Sequence, residues 1–452
     1  MSVVMENHYS QETCDGEGST ISILLFQAVM FAGAIFVDVK HLYGAGFLSR
    51  RTACTTLYRR VRALYDLDCE DDQLSVMQSL LLMSYWYEGD DSQKGGRHWI
   101  DVCILLARVN ILGFDWPKKQ GGQWRLRKRL WWCIYTRDKL VALGLQQFPS
   151  IEEEFASEIP MITIDDFAPL LLPIEMEDVT AHQDSLRRIY IEKVKVCRFV
   201  NRALHQWRYQ QNPDDQLLIR IAEANLDLCR QDLLQWQMNL PLDLVYHVEL
   251  SPLQNQADRI LHCHRAWLRL AFLEIRFTVH RQLRALHGNT GYLSHEAEQS
   301  LEESLQLDAV QVTDVLQDLY YQKLLYSLPT TSVAVICRTC LTLLGGMNSS
   351  LPDSGRALVQ RFNLCTFALK QLSTLYGSAV FLVSVLGLKK QRFRHNGYTS
   401  MKDILSHIDL DTLSQLTLLG SDYPASTVLS IRDPYCLQVV STLKLQRDRL
   451  SS

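Results

Sequence analysis

Residues 78–88 read QSLLLMSYWYE, and a Gly/Asp-rich break then leads to HWI at 98–100 and RLWWCIYTRDKLVALG at 129–144. These Trp-bearing segments are apolar on nearly every side. A helix without a polar face belongs in the interior of a large helical domain. The surrounding sequence keeps the helical period. Trp99, Val102, Cys103 and Leu106 fall at i, i+3, i+4 and i+7, one face of a 3.6-residue repeat. Leu186, Tyr190, Cys197 and Leu204 extend it through 185–207, with Asp184 as N-cap. Helical periodicity returns at 216–238, 257–286, 302–327, 333–344, 354–388 and 434–449. Strand-like alternation with hairpin turns is not found. The expected fold class is all-α, a large multi-helix bundle.

Short breaks carry helix-ending residues: 89–96, 113–122, Asn212-Pro213, Leu240-Pro241, 288–291 and 349–355. The longer stretch 148–180 holds Pro149, Pro160, Pro169 and Pro173 among acidic residues and reads as an irregular wrap. It divides the chain into a core half, 21–175, and a helical second half, 176–452. Residues 1–20 read as a disordered acidic N-terminus, and 389–400 as a poorly ordered loop. The apolar run 21–37 (ISILLFQAVMFAGAIFV) has the length of a membrane span. Gln27 within it, and no basic flank before it, favour a buried core helix, so no membrane association is expected.

The formal charge of −4 over 452 residues gives the whole chain no electrostatic attraction to nucleic acid. Twelve cysteines, mostly inside apolar stretches, fit reduced thiols of an intracellular protein better than a disulfide framework. The N-terminal acids Glu6, Glu12, Asp15 and Glu17 exclude the basic start of a secretory signal.

Catalytic and metal signatures are weak. One CxxC, Cys337–Cys340, has no second pair, whereas a structural zinc needs four ligands. His262 and His264 lie two apart, on different faces of a helix. No G-x-S-x-G elbow occurs, and Gly44-Ala45-Gly46 lacks a third glycine. The doublets Asp71-Asp72, Asp90-Asp91, Asp165-Asp166 and Asp214-Asp215 lack the third acid of a magnesium-diphosphate site and read as solvated loop or cap positions. No catalytic residue, cofactor or metal is expected.

Two basic clusters remain. Arg125, Arg127, Lys128 and Arg129 open a helix, where cations oppose the macrodipole. They form a candidate contact patch for an acidic partner or nucleic acid. The competing reading is an internal ion-pair network with residues 152–154 or the loop acids near Asp90. Lys389, Lys390, Arg392, Arg394 and His395 read as a solvated loop face, with nuclear import or a DNA-backbone role as the alternative.

The order of several blocks resembles the fungal-specific transcription factor domain, the middle homology or regulatory region of zinc-cluster regulators, most of all its cutinase transcription factor beta type. The blocks are LFQAVMFAGAIFVD (25–38), YRRVRALYDLDCE (58–70), QSLLLMSYWYE (78–88), HWI (98–100), LWWCIYTRDKLVALG (130–144), IPMITIDDF (159–167) and LLQWQMNLP (233–241). The motif core comprises Trp86, Glu88, His98, Trp99, Trp131, Trp132, Arg137 and Asp138. The tryptophans are expected in packing, with Arg137-Asp138 a buried or semi-buried polar pair.

The sequence also departs from the family. Only Cys14 precedes the first core helix, where relatives usually carry a six-cysteine zinc cluster that reads DNA. Gln146-Gln147-Phe148-Pro149 replaces a family R-R-P, and Gly113-Phe114-Asp115-Trp116 replaces G-L-H-R. Both changes remove positive charge. The resemblance therefore implies a nuclear transcriptional regulator lacking its own DNA-binding module. It would contact DNA only indirectly, through a DNA-bound regulator, the transcription machinery or a homo- or heterodimer, and control a metabolic or secondary-metabolite gene set. The alternatives are a truncated form of a full zinc-cluster activator, and an all-α enzyme or small-molecule-binding protein.

Overall fold

A computed structural model describes residues 22–86, 95–112, 122–167, 182–205, 216–290, 295–347 and 352–387. Among these residues the regular structure is helical and no strand occurs, so the all-α expectation holds. The calls on 1–20, 389–400 and 434–449, and on Glu88, lie outside the described residues.

The first layer is built from α1 (Ile23–Ala34), α2 (Val39–Gly44), α3 (Arg50–Asp66), α4 (Gln73–Met83), α5 (Gly96–Ala107) and α6 (Gly122–Leu145). Side-chain caps set several starts. Ser22 accepts from the Leu25 N–H at 3.1 Å, Ser49 from Thr52 at 3.1 Å, and Asp72 from Ser75 at 3.0 Å. Asp72 is thus a cap, as read from its doublet. At the other end of α1, Arg50 donates to the carbonyls of Ala34 and Ile35, satisfying acceptors the helix leaves open.

The apolar run at 21–37 is a core helix on one side. Leu24, Leu25, Ala28 and Phe31 are buried against α3 and α4, while Ile23, Phe26 and Met30 face outward. No helix among the described residues is long and apolar enough to cross a membrane.

The short α7 (Glu153–Ser157) packs with the first layer through Ala156, and the second layer comprises α8 (Gln183–Cys197), α9 (Phe199–His205), α10 (Gln216–Met238), α11 (Gln256–Thr290), α12 (His295–Tyr321), α13 (Ser332–Met347), α14 (Pro352–Leu372) and α15 (Gly377–Gly387). Several boundaries differ from the sequence reading. The segment 185–207 is two helices broken at Arg198, and α8 starts before Asp184, with His182 at the cap position. The glycine at 288 does not stop α11, which continues to Thr290; the residues upstream of it are already packed in the second core, and one glycine costs only about 1 kcal/mol. The run 354–388 divides before Gly377.

Two apolar cores result. One gathers α1–α7; the other gathers α8–α15. α6 spans both, with Trp131 and Tyr135 in the first and Ala142 and Leu143 in the second. α8 does the same through Val194 and Ile189. α6 carries most of the polar side chains that matter next.

Candidate functional site

The motif residues converge on α6, and helical rotation of about 100° per residue sends consecutive side chains to different neighbours. At its start Arg125 is exposed and Arg127 half-buried, donating to Gln123 Oε1 at 3.2 Å. Lys128 and Arg129 turn inward and are 3% and 1% exposed. Lys128 Nζ meets Asp166 Oδ2 at 2.8 Å, and Arg129 donates to the Asp166 main-chain carbonyl at 2.7 Å. Asp166 also accepts from the Thr163 N–H at 2.7 Å and hydroxyl at 3.0 Å.

These contacts correct two expectations. Asp166 takes the cap half of its loop-or-cap reading, in a capping box with Thr163, but it is buried rather than solvated, and it, rather than residues 152–154, is the partner of the basic cluster; Asp90 lies outside the described residues. The candidate patch is therefore divided. Half of it is internal, because a buried ammonium must find a carboxylate close by.

One turn on, Trp131 and Trp132 are both buried. The Trp132 indole donates to the Pro160 carbonyl at 3.1 Å, which ties the IPMITIDDF segment to α6 a second time. Tyr135 donates to Glu153 Oε1 at 2.7 Å, and burial beside that carboxylate holds its phenol well above the usual range. Trp99 is buried, donating to the Tyr58 hydroxyl at 2.8 Å with Tyr65 edge-on at 5.6 Å. His98 is half-buried, 4.9 Å from the Trp99 ring. Trp86 is buried edge-on to Phe31 at 6.1 Å.

Arg137 and Asp138 are both buried, but they do not pair with each other. Arg137 donates to the Ser84 hydroxyl at 3.1 Å and carbonyl at 2.6 Å, and its guanidinium lies 4.0 Å from the Tyr85 ring centre. It thus closes the C-terminal end of α4. Asp138 accepts from the N–H groups of Ser150 and Ile151, each at 3.0 Å, and sits 3.4 Å from Arg97. Burial raises its carboxyl from the ordinary value, against the lowering effect of Arg97. Adjacent residues on a helix point apart, so two separate anchors are the geometric outcome.

The next residue, Lys139, was not singled out from the sequence. It is fully buried, donates to Ile151 O and to Asn201 Oδ1 at 2.8 Å, and lies 3.4 Å from Glu153. Burial lowers its ammonium from the usual value, with Glu153 opposing. An ionisable residue at a position where α6 is otherwise apolar was the available clue. Closed on all sides, Lys139 can reach no substrate; its chemistry is to fix the 149–153 turn against α6 and α9. Among the described residues no group of three or more His, Cys, Asp or Glu side chains is placed to hold a metal.

The arrangement is a set of buried polar anchors that fix one orientation of α6 between two cores. Comparison with known proteins agrees with this being a domain of defined type. The model of the fungal specific transcription factor domain matches residues 6–240. Cutinase transcription factor 1 beta of Fusarium vanettenii is 26% identical over 94% of this chain and 50% of its own length. Transcription factor cpaR of Aspergillus oryzae is 29% identical over 58% of this chain and 47% of its own. Fusaric acid cluster transcription factor FUB12 of Fusarium oxysporum is 24% identical over 26% of this chain and 18% of its own. The chain spans about half the length, or less, of these curated relatives. No solved structure matches. With over half its residues matched by the family model, this chain belongs to the fungal specific transcription factor domain family.

Proposed function

We propose that the chain is the regulatory region of a fungal transcriptional regulator, acting in the nucleus through protein contacts to control a metabolic gene set. The observation that carries this is the family match over 6–240, joined to relatives named as transcription factors. One relative's name ties it to a fusaric acid cluster, which supports metabolite genes as the targets. Indirect contact with DNA, rather than direct, is supported by charge. The net charge is −4, and the basic cluster that opens α6 spends Lys128 and Arg129 on Asp166. Phosphate binding needs exposed cations.

Deleting the gene and comparing transcripts with metabolites tests the reading. Coordinated change in the messages of a metabolic gene set is expected. Loss of one product with every neighbouring message unchanged would instead establish an enzyme. A gel-shift with the purified chain alone should show no sequence-specific nanomolar complex.

A second reading is favoured by the coverage of the relatives: the chain is one part of a full zinc-cluster activator. Translating the genomic DNA upstream of Met1 separates the two, since six suitably spaced cysteines in frame decide for the longer protein.

A further inference from the structure

A groove of about 340 Å³ opens between the end of α10, residues 242–248, α11 and α12. Its floor is apolar and aromatic. Leu244, Leu268 and Phe272 are buried, and Trp236 stacks on Phe272 with ring centres 5.8 Å apart at 27°. Arg265 and Arg269 stand over this floor, one turn apart on α11, so both side chains leave the same face.

The guanidiniums are held by neutral oxygens. Arg269 donates to Gln311 Oε1 at 2.8 Å, and Arg265 to the Asp243 main-chain carbonyl at 2.9 and 2.5 Å. The neighbouring carboxylates are engaged elsewhere: Asp243 by Arg188, Asp308 by Arg276 and His280, and Asp314 by Arg361. Gln311 Oε1 also accepts from Arg276 at 2.7 Å, so two cations share one amide oxygen. Burial, with the Arg276 charge added, pushes Arg269 down to about 10. An anion entering here meets two charge-assisted donors in a partly dry setting, the condition under which such bonds are strongest.

We propose that this groove binds a small organic carboxylate, its head on Arg265 and Arg269 and its flat or aliphatic body against Trp236, which Phe272 backs from beneath. The volume sits at the lower end of ligand sites, which run from roughly 300 to 1,000 Å³, and so selects a compact molecule. Asp314 on the rim and the apolar floor disfavour a polyphosphate. Because the walls belong to α10, α11 and α12, an occupant fixes the spacing of three helices of the second core. Binding of this kind is a property of the purified chain and stands whether or not the chain regulates transcription.

The test is calorimetric titration and thermal melting of the full chain with benzoate, phenylacetate and octanoate, and with benzamide as the neutral control. Saturable binding and a raised Tm are expected with at least one carboxylate and not with benzamide at the same concentration. Arg265→Gln and Arg269→Gln should each weaken that binding at least tenfold. No saturable carboxylate binding, equal binding of benzamide, or unchanged affinity in Arg265→Gln would overturn the proposal. If Arg269→Gln fails to fold, the carboxylate–amide comparison and Arg265→Gln still decide.

Discussion

Lys128 Nζ lies 2.8 Å from Asp166 Oδ2, with the two side chains 4% and 3% exposed. The pair joins the first turn of α6 to the 163–167 segment, and Arg129 reinforces it through the Asp166 carbonyl. Removing one member of a buried pair strands the other, at a cost of about 3–5 kcal/mol. Asp166→Ala should therefore lower stability by about 3 kcal/mol or more, read as a shift in urea midpoint at constant slope. Arg125→Gln, on the exposed side of the same turn, should stay within about 0.5 kcal/mol of wild type. Equal effects would show that the cluster acts as a surface patch.

Gly96 opens α5 against the end of α4, and a Cβ there would sit 2.5 Å from the Ser84 carbonyl oxygen. That oxygen is also the acceptor for Arg137 at 2.6 Å. Gly96→Ala must push α5 away or displace this bond, and overpacking of that kind costs about 1–3 kcal/mol. Arg137→Ala should cost about as much, because the Ser84 hydroxyl and carbonyl both lose their donor. In the double variant the two losses should fall short of additive. Strict additivity, measured by denaturation, would contradict the shared contact.

Thiol reactivity should separate one cysteine from the rest of the described set. Cys69 is exposed, whereas Cys54, Cys197 and Cys337 are buried, and burial pushes each of these thiols up to about 12. Since the thiolate is the reactive form, brief alkylation of the native protein followed by peptide mapping should label Cys69 well ahead of these three. Comparable labelling of Cys197 would contradict its placement in the core.

His264 packs against Trp267 with ring centres 4.6 Å apart. Burial, aided by Lys193, pushes its imidazole down from 6.5 to about 3. The unfolded chain takes up this proton as pH falls through 6.5, and the folded chain does not until about pH 3. Stability from this residue is thus complete above pH 6.5 and is lost as pH falls, by up to about 1.4 kcal/mol per unit. Asp138, its carboxyl raised by burial, has the opposite sign above its ordinary 3.8. The diagnostic quantity is therefore the wild-type curve minus that of His264→Phe, which should slope downward from pH 6.5 to 5. Parallel curves would contradict a neutral, half-buried imidazole against Trp267.

Much of this was legible in the residues. Trp99, Trp131 and Trp132 read as core because their segments lack a polar face, and they are core. The anchors were harder to see. Arg137-Asp138 looks like a pair when written as a line, but one residue of helical rotation sends Arg137 to Ser84 and Asp138 to the Ser150–Ile151 turn. Asp166 read as a solvated loop or cap acid, and it does cap, but its ion pair was hidden because Lys128 lies 38 residues earlier, a separation no local period reports. Gly288 marked a helix end by composition, yet tertiary packing carries α11 past it. The Arg265–Arg269 groove depends on three helices meeting, which spacing along one of them does not reveal.

The most direct test of the central claim fuses this chain to a heterologous DNA-binding domain and measures a reporter bearing that domain's site in a fungal host. A regulatory region working through protein contacts should move reporter output several-fold from the level of the DNA-binding domain alone. Asp166→Ala, which unpins α6, should return it toward that level. Reporter output equal to the DNA-binding domain alone, with the fusion present and folded, would contradict the account.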